Sequence, residues 1–103
     1  MKHIMLVCNA GMSTSLLVTK MEKAAEAKGI EATIWAVPVS EVDQEFANKT
    51  IDVLMVGPQV RFMLDEYKEK FEPGTKVTDI NMVDYGVMNG ENVFNSALAL
   101  MGD

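Results

Sequence analysis

The 103-residue sequence holds one cysteine, one histidine, one arginine, one tryptophan and three prolines. A lone cysteine cannot form an intrachain disulfide, and one thiol with one imidazole cannot build a zinc cluster. No EF-hand loop is present, so a metal would have to rest on scattered carboxylates; neither a metal nor another cofactor is expected. Basic residues are also short, nine against fifteen acids for a formal net charge of −6. That balance argues against a nucleic-acid partner, which would be met by a basic face. Long apolar runs are missing: the first, Ile4 to Cys8, falls far below the roughly 20 residues of a membrane span. It is also too short for a signal-peptide core, and polar Asn9, Ser13 and Thr14 follow it. The expectation is a cytoplasmic protein with no direct membrane insertion.

What is present is ordinary for a globular chain: 49% hydrophobic, 23% charged and 7% aromatic residues. Such a composition excludes wholesale disorder. The length suits a single domain over 1–103 with one real core.

Short apolar runs alternate with helical stretches. Ile4-Met5-Leu6-Val7 ending in Cys8 reads as a strand buried on both faces. A helix is expected from Ser13 to Lys28, with Leu17, Met21 and Ala24 or Ala25 on one stripe and Gly29 as its stop. A second strand spans Glu31 to Val37 and is closed by Pro38. A short helix follows from Ser40 to Asn48, with Ser40 as N-cap. Val53 to Val56 is a third strand, stopped by Gly57-Pro58. Gln59 to Phe71 reads as a helix with Val60, Met63, Leu64, Tyr67 and Phe71 inward. Pro73-Gly74 marks a turn. Lys76 to Met82 reads as a fourth strand, and Asn89 or Gly90 opens a last helix through Met101. Strands alternating with helices imply parallel pairing, because parallel neighbours need a crossover. The fold expected is α/β, a four-stranded parallel sheet of order 2-1-3-4 with helices on both faces, similar to low-molecular-weight tyrosine phosphatases.

In such a sheet the ligand crevice lies beyond the carboxyl ends of the strands, where the winding reverses. Two loops converge there, Cys8 to Ser15 and Gly57-Pro58-Gln59. In the first, a cysteine directly after a strand precedes a small-residue turn and three hydroxyl residues opening a helix. Free N–H groups and the helix dipole favour a tetrahedral anion and a thiolate. A thiol so placed can have its pKa pulled well below the free value of about 8.5. Cys8 is the candidate nucleophile, with Asn9, Ala10, Gly11, Met12, Ser13, Thr14 and Ser15 as its phosphate cradle. The plainer alternative is a small buried hydrophobe with hydroxyls that only cap a helix.

Two cysteine–phosphate chemistries fit this loop. A tyrosine-type phosphatase places an arginine six positions after its cysteine, where this chain has Thr14. Its only arginine, Arg61, would have to fold back from the third helix. Without that bidentate clamp, hydrolysis of a phosphate ester would be slow. Accepting phosphate from an energetic donor asks less of the protein, so the missing arginine favours a carrier over a hydrolase. A thiol phosphatase and an inert binding or regulatory domain of the same fold stay as alternatives.

The segment Lys2 to Leu17, KHIMLVCNAGMSTSLL, resembles the start of the IIB component of the lactose/cellobiose-type phosphoenolpyruvate-dependent sugar phosphotransferase system, nearest its cellobiose/diacetylchitobiose branch. The resemblance continues through Asp52 to Val60 and reaches Tyr85-Gly86, with Asn9 where the family commonly has serine. It implies a phosphotransferase that relays phosphate through Cys8. The donor would be phosphohistidine on a IIA protein, and the acceptor a cellobiose- or chitobiose-like disaccharide held by a membrane IIC permease. A monomer docking transiently is the simplest form for such a relay.

Other residues carry less. His3 lies at the opposite end of the first strand, roughly 16 Å from Cys8 at about 3.3 Å per residue, and is expected to be structural or solvated. Most of the nine methionines are expected to fill the core, Met12 excepted. Gln59 and Tyr85 are candidates for the cleft or partner face, with helix start and core tyrosine as their plainer readings. Asp79 and Asp84 are expected to be solvated, and Asp65, Glu66, Glu69 and Glu72 to form an exposed helix face.

Overall fold

The computed structural model describes residues 1–8 and 14–102. The four apolar runs form the strands of one parallel sheet: β1 (Lys2–Cys8), β2 (Ala32–Pro38), β3 (Val53–Val56) and β4 (Lys76–Asp79). Their order is β2-β1-β3-β4, as the sequence predicts. Pairing places Val7 beside Val37 and Val56, and Val56 beside Asp79, so the carboxyl ends of all four strands lie along one edge.

β1 is buried from Ile4 to Cys8 because it is central and covered on both faces. Strand alternation divides its side chains between two cores. Ile4 and Leu6 join Ile34, Val53 and Met55 beneath helices α1 (Thr14–Ala27) and α5 (Gly90–Leu100). Met5 and Val7 join Val37, Leu54, Val56 and Val77 on the other face, under α2 (Val42–Asn48) and α3 (Leu64–Phe71). α1 turns Leu17, Met21, Ala24 and Ala25 inward. It stops at Gly29, whose φ of +69° suits the left-handed residue past a helix end. The two helices of the first layer touch at Gly90. A Cβ there would sit 2.5 Å from the backbone carbonyl carbon of Lys20, so no larger residue fits without parting α1 from α5.

Three elements differ from the sequence expectation, each for a local reason. The second helix begins with a tight 3-10 turn over Val39–Glu41, and Ser40 makes no capping bond; the α-helical part is preceded by Glu41. The third helix is not one piece: a 3-10 segment over Pro58–Met63 precedes α3, and that segment is itself interrupted at Val60, whose φ of −121° and ψ of 23° are not helical. The fourth strand ends at Asp79 rather than Met82. There the Asn81 side chain accepts hydrogen bonds from the backbone N–H groups of Val83 and Asp84 and opens a short helix, α4 (Met82–Gly86). Asn89 caps α5 by accepting from the Asn92 N–H. Among the described residues no helix is long and apolar enough to cross a membrane.

Candidate active site

Cys8 is the last residue of β1 and is buried. By alternation its side chain lies on the α1–α5 side with Ile4 and Leu6. β2 lies on one side of β1 and β3 on the other; the winding reverses between β1 and β3, where the crevice of an open α/β sheet forms. The residues following β3 close up against this point. The Gly57 N–H donates to the Val7 carbonyl at 2.8 Å, continuing the sheet ladder beyond β3. A Cβ on Gly57 would lie 3.0 Å from that carbonyl oxygen and 3.8 Å from the Cys8 Cβ. Space rather than backbone angles favours glycine here: a methyl group would be tight unless its neighbour gave by a few tenths of an ångström, whereas the angles are ordinary extended ones at φ −65° and ψ 154°. The Gln59 Oε1 lies 3.5 Å from the same point, so the exposed Gln59 folds back toward the end of β1.

On the far side of Cys8, α1 begins at Thr14. Thr14 is 2% exposed and its Oγ1 is 3.5 Å from the Tyr85 hydroxyl, longer than an ordinary O–H···O bond but in direct contact. Tyr85 is 6% exposed and belongs to the α1–α5 core. Its burial matches the plainer of the two readings, a core tyrosine, here carried by α4 and in contact with the first residue of α1. Ser15, next along α1, is exposed. Asn9, Ala10, Gly11, Met12 and Ser13 lie outside the described residues.

Arg61 does not sit on a regular third helix. It lies in the 3-10 segment after β3, at the carboxyl edge of the sheet, and its Nε is 3.3 Å from the Asp79 Oδ2 at the end of β4. Asp79, expected to be solvated, is thus paired. Asp84 is partly buried and accepts from the Asn92 Nδ2 at 3.1 Å. Asp65, Glu66, Glu69 and Glu72 are exposed, with the Glu72 carboxylate accepting the Val77 N–H. Met5, Met21 and Met55 fill the core, whereas Met82 is 69% exposed. Sequence reasoning missed the placement of Arg61 and its pairing with Asp79. The signal available was Pro58, which favours a tight turn before the helix proper.

His3 is at the other pole. Its Nδ1 is 3.2 Å from the Asp52 Oδ2, which also accepts the His3 N–H at 2.8 Å. A cleft of about 440 Å³ opens there, lined by His3, Thr33, Trp35, Lys49 and Thr50. Glu45 accepts from the Lys49 Nζ at 2.7 Å and from the Trp35 Nε1 at 2.8 Å. Its carboxyl is held below the usual range, first by the Lys49 bond and against the opposing effect of burial. Among the described residues no group of three or more His, Cys, Asp or Glu could hold a metal.

The model of the PTS system lactose/cellobiose-specific IIB subunit family matches residues 3–96. The chain is 41% identical over 102 residues to the oligo-beta-mannoside-specific EIIB component of Bacillus subtilis (strain 168), covering 98% of this chain and 97% of that protein. It is 45% identical over 104 residues to the galactose-specific EIIB component of Lactococcus lactis subsp. cremoris (strain MG1363), covering 97% and 96%. The solution structure of the cellobiose-specific phosphotransferase IIB component from Borrelia burgdorferi superposes with a TM-score of 0.75 at 40% identity, covering 96% of this chain and 90% of that one.

Proposed function

The chain belongs to the lactose/cellobiose-specific IIB family of the sugar phosphotransferase system, and we propose that within this family of phosphotransferases Cys8 is the residue that carries the phosphoryl group. The observation that supports this most is the position of Cys8. It is the one thiol of the chain, at the carboxyl end of a central strand, at the reversal point, beside Gly57, where an added methyl group would come within 3.8 Å of its Cβ.

In the step proposed, the Cys8 thiolate attacks the phosphorus of a phosphohistidine on a IIA protein. An S–P bond forms as the N–P bond breaks, and its electron pair returns to the imidazole. Backbone N–H groups of Asn9 to Ser13 and the start of α1 at Thr14 and Ser15 hold the oxygens of the loose transition state. In the second step a sugar hydroxyl bound by a membrane IIC permease attacks the same phosphorus. The sulfur leaves as thiolate and the hydroxyl proton passes to a base on the permease. Gln59 reaches toward the phosphoryl position from the β3 side. Tyr85 is a positioning residue, acting through Thr14. Residues 1–103 act as one unit, as a monomer in the cytoplasm that docks transiently, without metal or cofactor.

The sugar is a β-linked disaccharide of the cellobiose or chitobiose kind, since the Lys2–Leu17 string is nearest that branch. The relatives described carry galactose, oligo-beta-mannoside and cellobiose in their names. Comparable identities with different sugars fit a selection made by the permease rather than by this chain.

The test is intact mass after incubation with phosphoenolpyruvate and the upstream phosphotransferase proteins. The wild type is expected to gain the mass of one phosphoryl group and Cys8→Ser to gain none. Rapid turnover of an aryl phosphate by the isolated chain would instead identify a phosphatase, and no adduct at all would leave an inert domain.

A further inference from the structure

We infer that Arg61, held in place by Asp79, is a docking cation that pairs with a carboxylate on the surface of the protein that hands the phosphoryl group to Cys8. The inference rests on the reading of Cys8 as phosphoryl acceptor. Arg61 is the only arginine of the chain, and it stands on the edge where such a donor must approach. Its segment is firmly seated: Val60 is fully buried and its N–H donates to the Gly57 carbonyl at 3.0 Å.

The Arg61–Asp79 pair is open to solvent, with side chains 67% and 37% exposed. Exposed pairs of this kind are worth about 0–1 kcal/mol to the fold, so stability does not account for it. The pair biases the guanidinium fork toward one orientation before a partner arrives, which lowers the ordering cost of binding. The contact uses Nε; the terminal nitrogens make no further hydrogen bond or ion pair among the described residues, so they can receive a carboxylate side-on.

The group that Arg61 meets is not the phosphoryl on Cys8. Val7, Val56 and Asp79 stand in register across three strands. At about 4.8 Å per strand, Asp79 lies roughly 10 Å from the β1 column. The Asp79 pair therefore draws the guanidinium toward β4 and away from β1, which leaves its uncontacted nitrogens to a carboxylate that arrives with the partner.

The ground around it fits a protein surface. Phe62, next to Arg61, is 79% exposed, and Met82 and Val83 beyond β4 are 69% and 70% exposed. Leu16, in the first turn of α1, is half exposed. Over residues 14–16, 57–63 and 79–83 the only charged side chains are Arg61 and its partner Asp79, in a chain with fifteen acids. An apolar rim with no unpaired acid on these segments admits a partner bearing a phosphoryl dianion, and the open side of the Arg61 fork rewards a carboxylate opposite it.

The experiment measures phosphoryl transfer from the purified phosphorylated donor protein, at varied donor concentration, to wild type, Arg61→Gln, Arg61→Lys and Asp79→Asn. Loss of a rim charge is expected to raise the donor KM of Arg61→Gln about tenfold, with kcat within about twofold of wild type and a flatter dependence on salt. Arg61→Lys should fall between, and Asp79→Asn should raise KM in the same direction with an unchanged thermal midpoint. An unchanged KM in Arg61→Gln, a loss confined to kcat, or a loss confined to delivery onto sugar would each overturn the inference. If the wild type itself accepts no phosphate on Cys8, the premise fails instead, and that outcome is visible before any Arg61 variant is compared.

Discussion

At the amino end of the sheet polar groups answer one another: His3 with Asp52, Glu45 with both Lys49 and Trp35, and the Thr75 hydroxyl with the Ile51 carbonyl at 2.7 Å. The carboxyl end is built differently. A buried thiol, a glycine at which a methyl group would be tight, a hydroxyl pair at 3.5 Å, four exposed apolar side chains and one arginine belong to the elements at this edge. The contrast separates two uses of the same sheet. One end spends its polar groups on holding strands in register; the other leaves groups open for something that arrives. Apolar exposure near a site is informative where it is contiguous with chemistry, whereas scattered exposed side chains are not.

Substitutions at the two ends should therefore dissociate stability from transfer. The largest effect is expected for Gly57→Ala. The added methyl meets the Val7 carbonyl oxygen at 3.0 Å, and a shift of a few tenths of an ångström beside the nucleophile should slow phosphoryl acceptance about tenfold or more. Rapid-quench phosphorylation kinetics alongside a denaturant melt would check this, and a stability loss without a rate loss would break the contrast. Its mirror is Thr75→Val, at the start of β4. Removing the buried hydroxyl leaves the Ile51 carbonyl unanswered at a cost of about 1–3 kcal/mol, with transfer unchanged; urea unfolding and the same kinetic assay measure both. Tyr85→Phe is milder. Loss of the contact with Thr14 should slow acceptance about two- to fivefold, for a contribution of about 0.5–1 kcal/mol, with the fold intact by circular dichroism.

The smallest effect is a pH one. The Glu45 carboxyl is lowered in the folded protein, so the stability it contributes is present above its unfolded pKa and is lost as the pH falls through the folded value. Trp35 is the only tryptophan, and its emission should change with a midpoint below the ordinary 4.5 of a glutamate. In Glu45→Gln that acid transition should vanish, while phosphoryl transfer at neutral pH stays as in wild type.

The strands and their parallel pairing were legible because the apolar runs are bounded by Gly57-Pro58, Pro38 and Gly29, and because helical stretches between them leave only parallel crossovers. The end of β4 was not. Ile80 and Met82 continue an apolar-looking run, and only the Asn81 side chain, accepting two backbone N–H groups, turns it into α4. Cys8 stood out from the residues alone, since strand end, glycine and hydroxyls are neighbours in sequence. Arg61 could not be placed that way. Its position depends on a 3-10 turn broken at Val60 and on a carboxylate from another strand, and a tertiary ion pair leaves no trace in local spacing. Tyr85 was legible as a position but not as a role, because its contact with Thr14 joins α4 to α1.

The most direct measurement locates the phosphoryl group. The chain is phosphorylated through phosphoenolpyruvate and the upstream proteins, digested at a pH that preserves both phosphothiol and phosphoramidate links, and mapped by tandem mass spectrometry. Phosphate is predicted on Cys8 and nowhere else; phosphate on His3, the single histidine, with Cys8 unmodified would contradict the account.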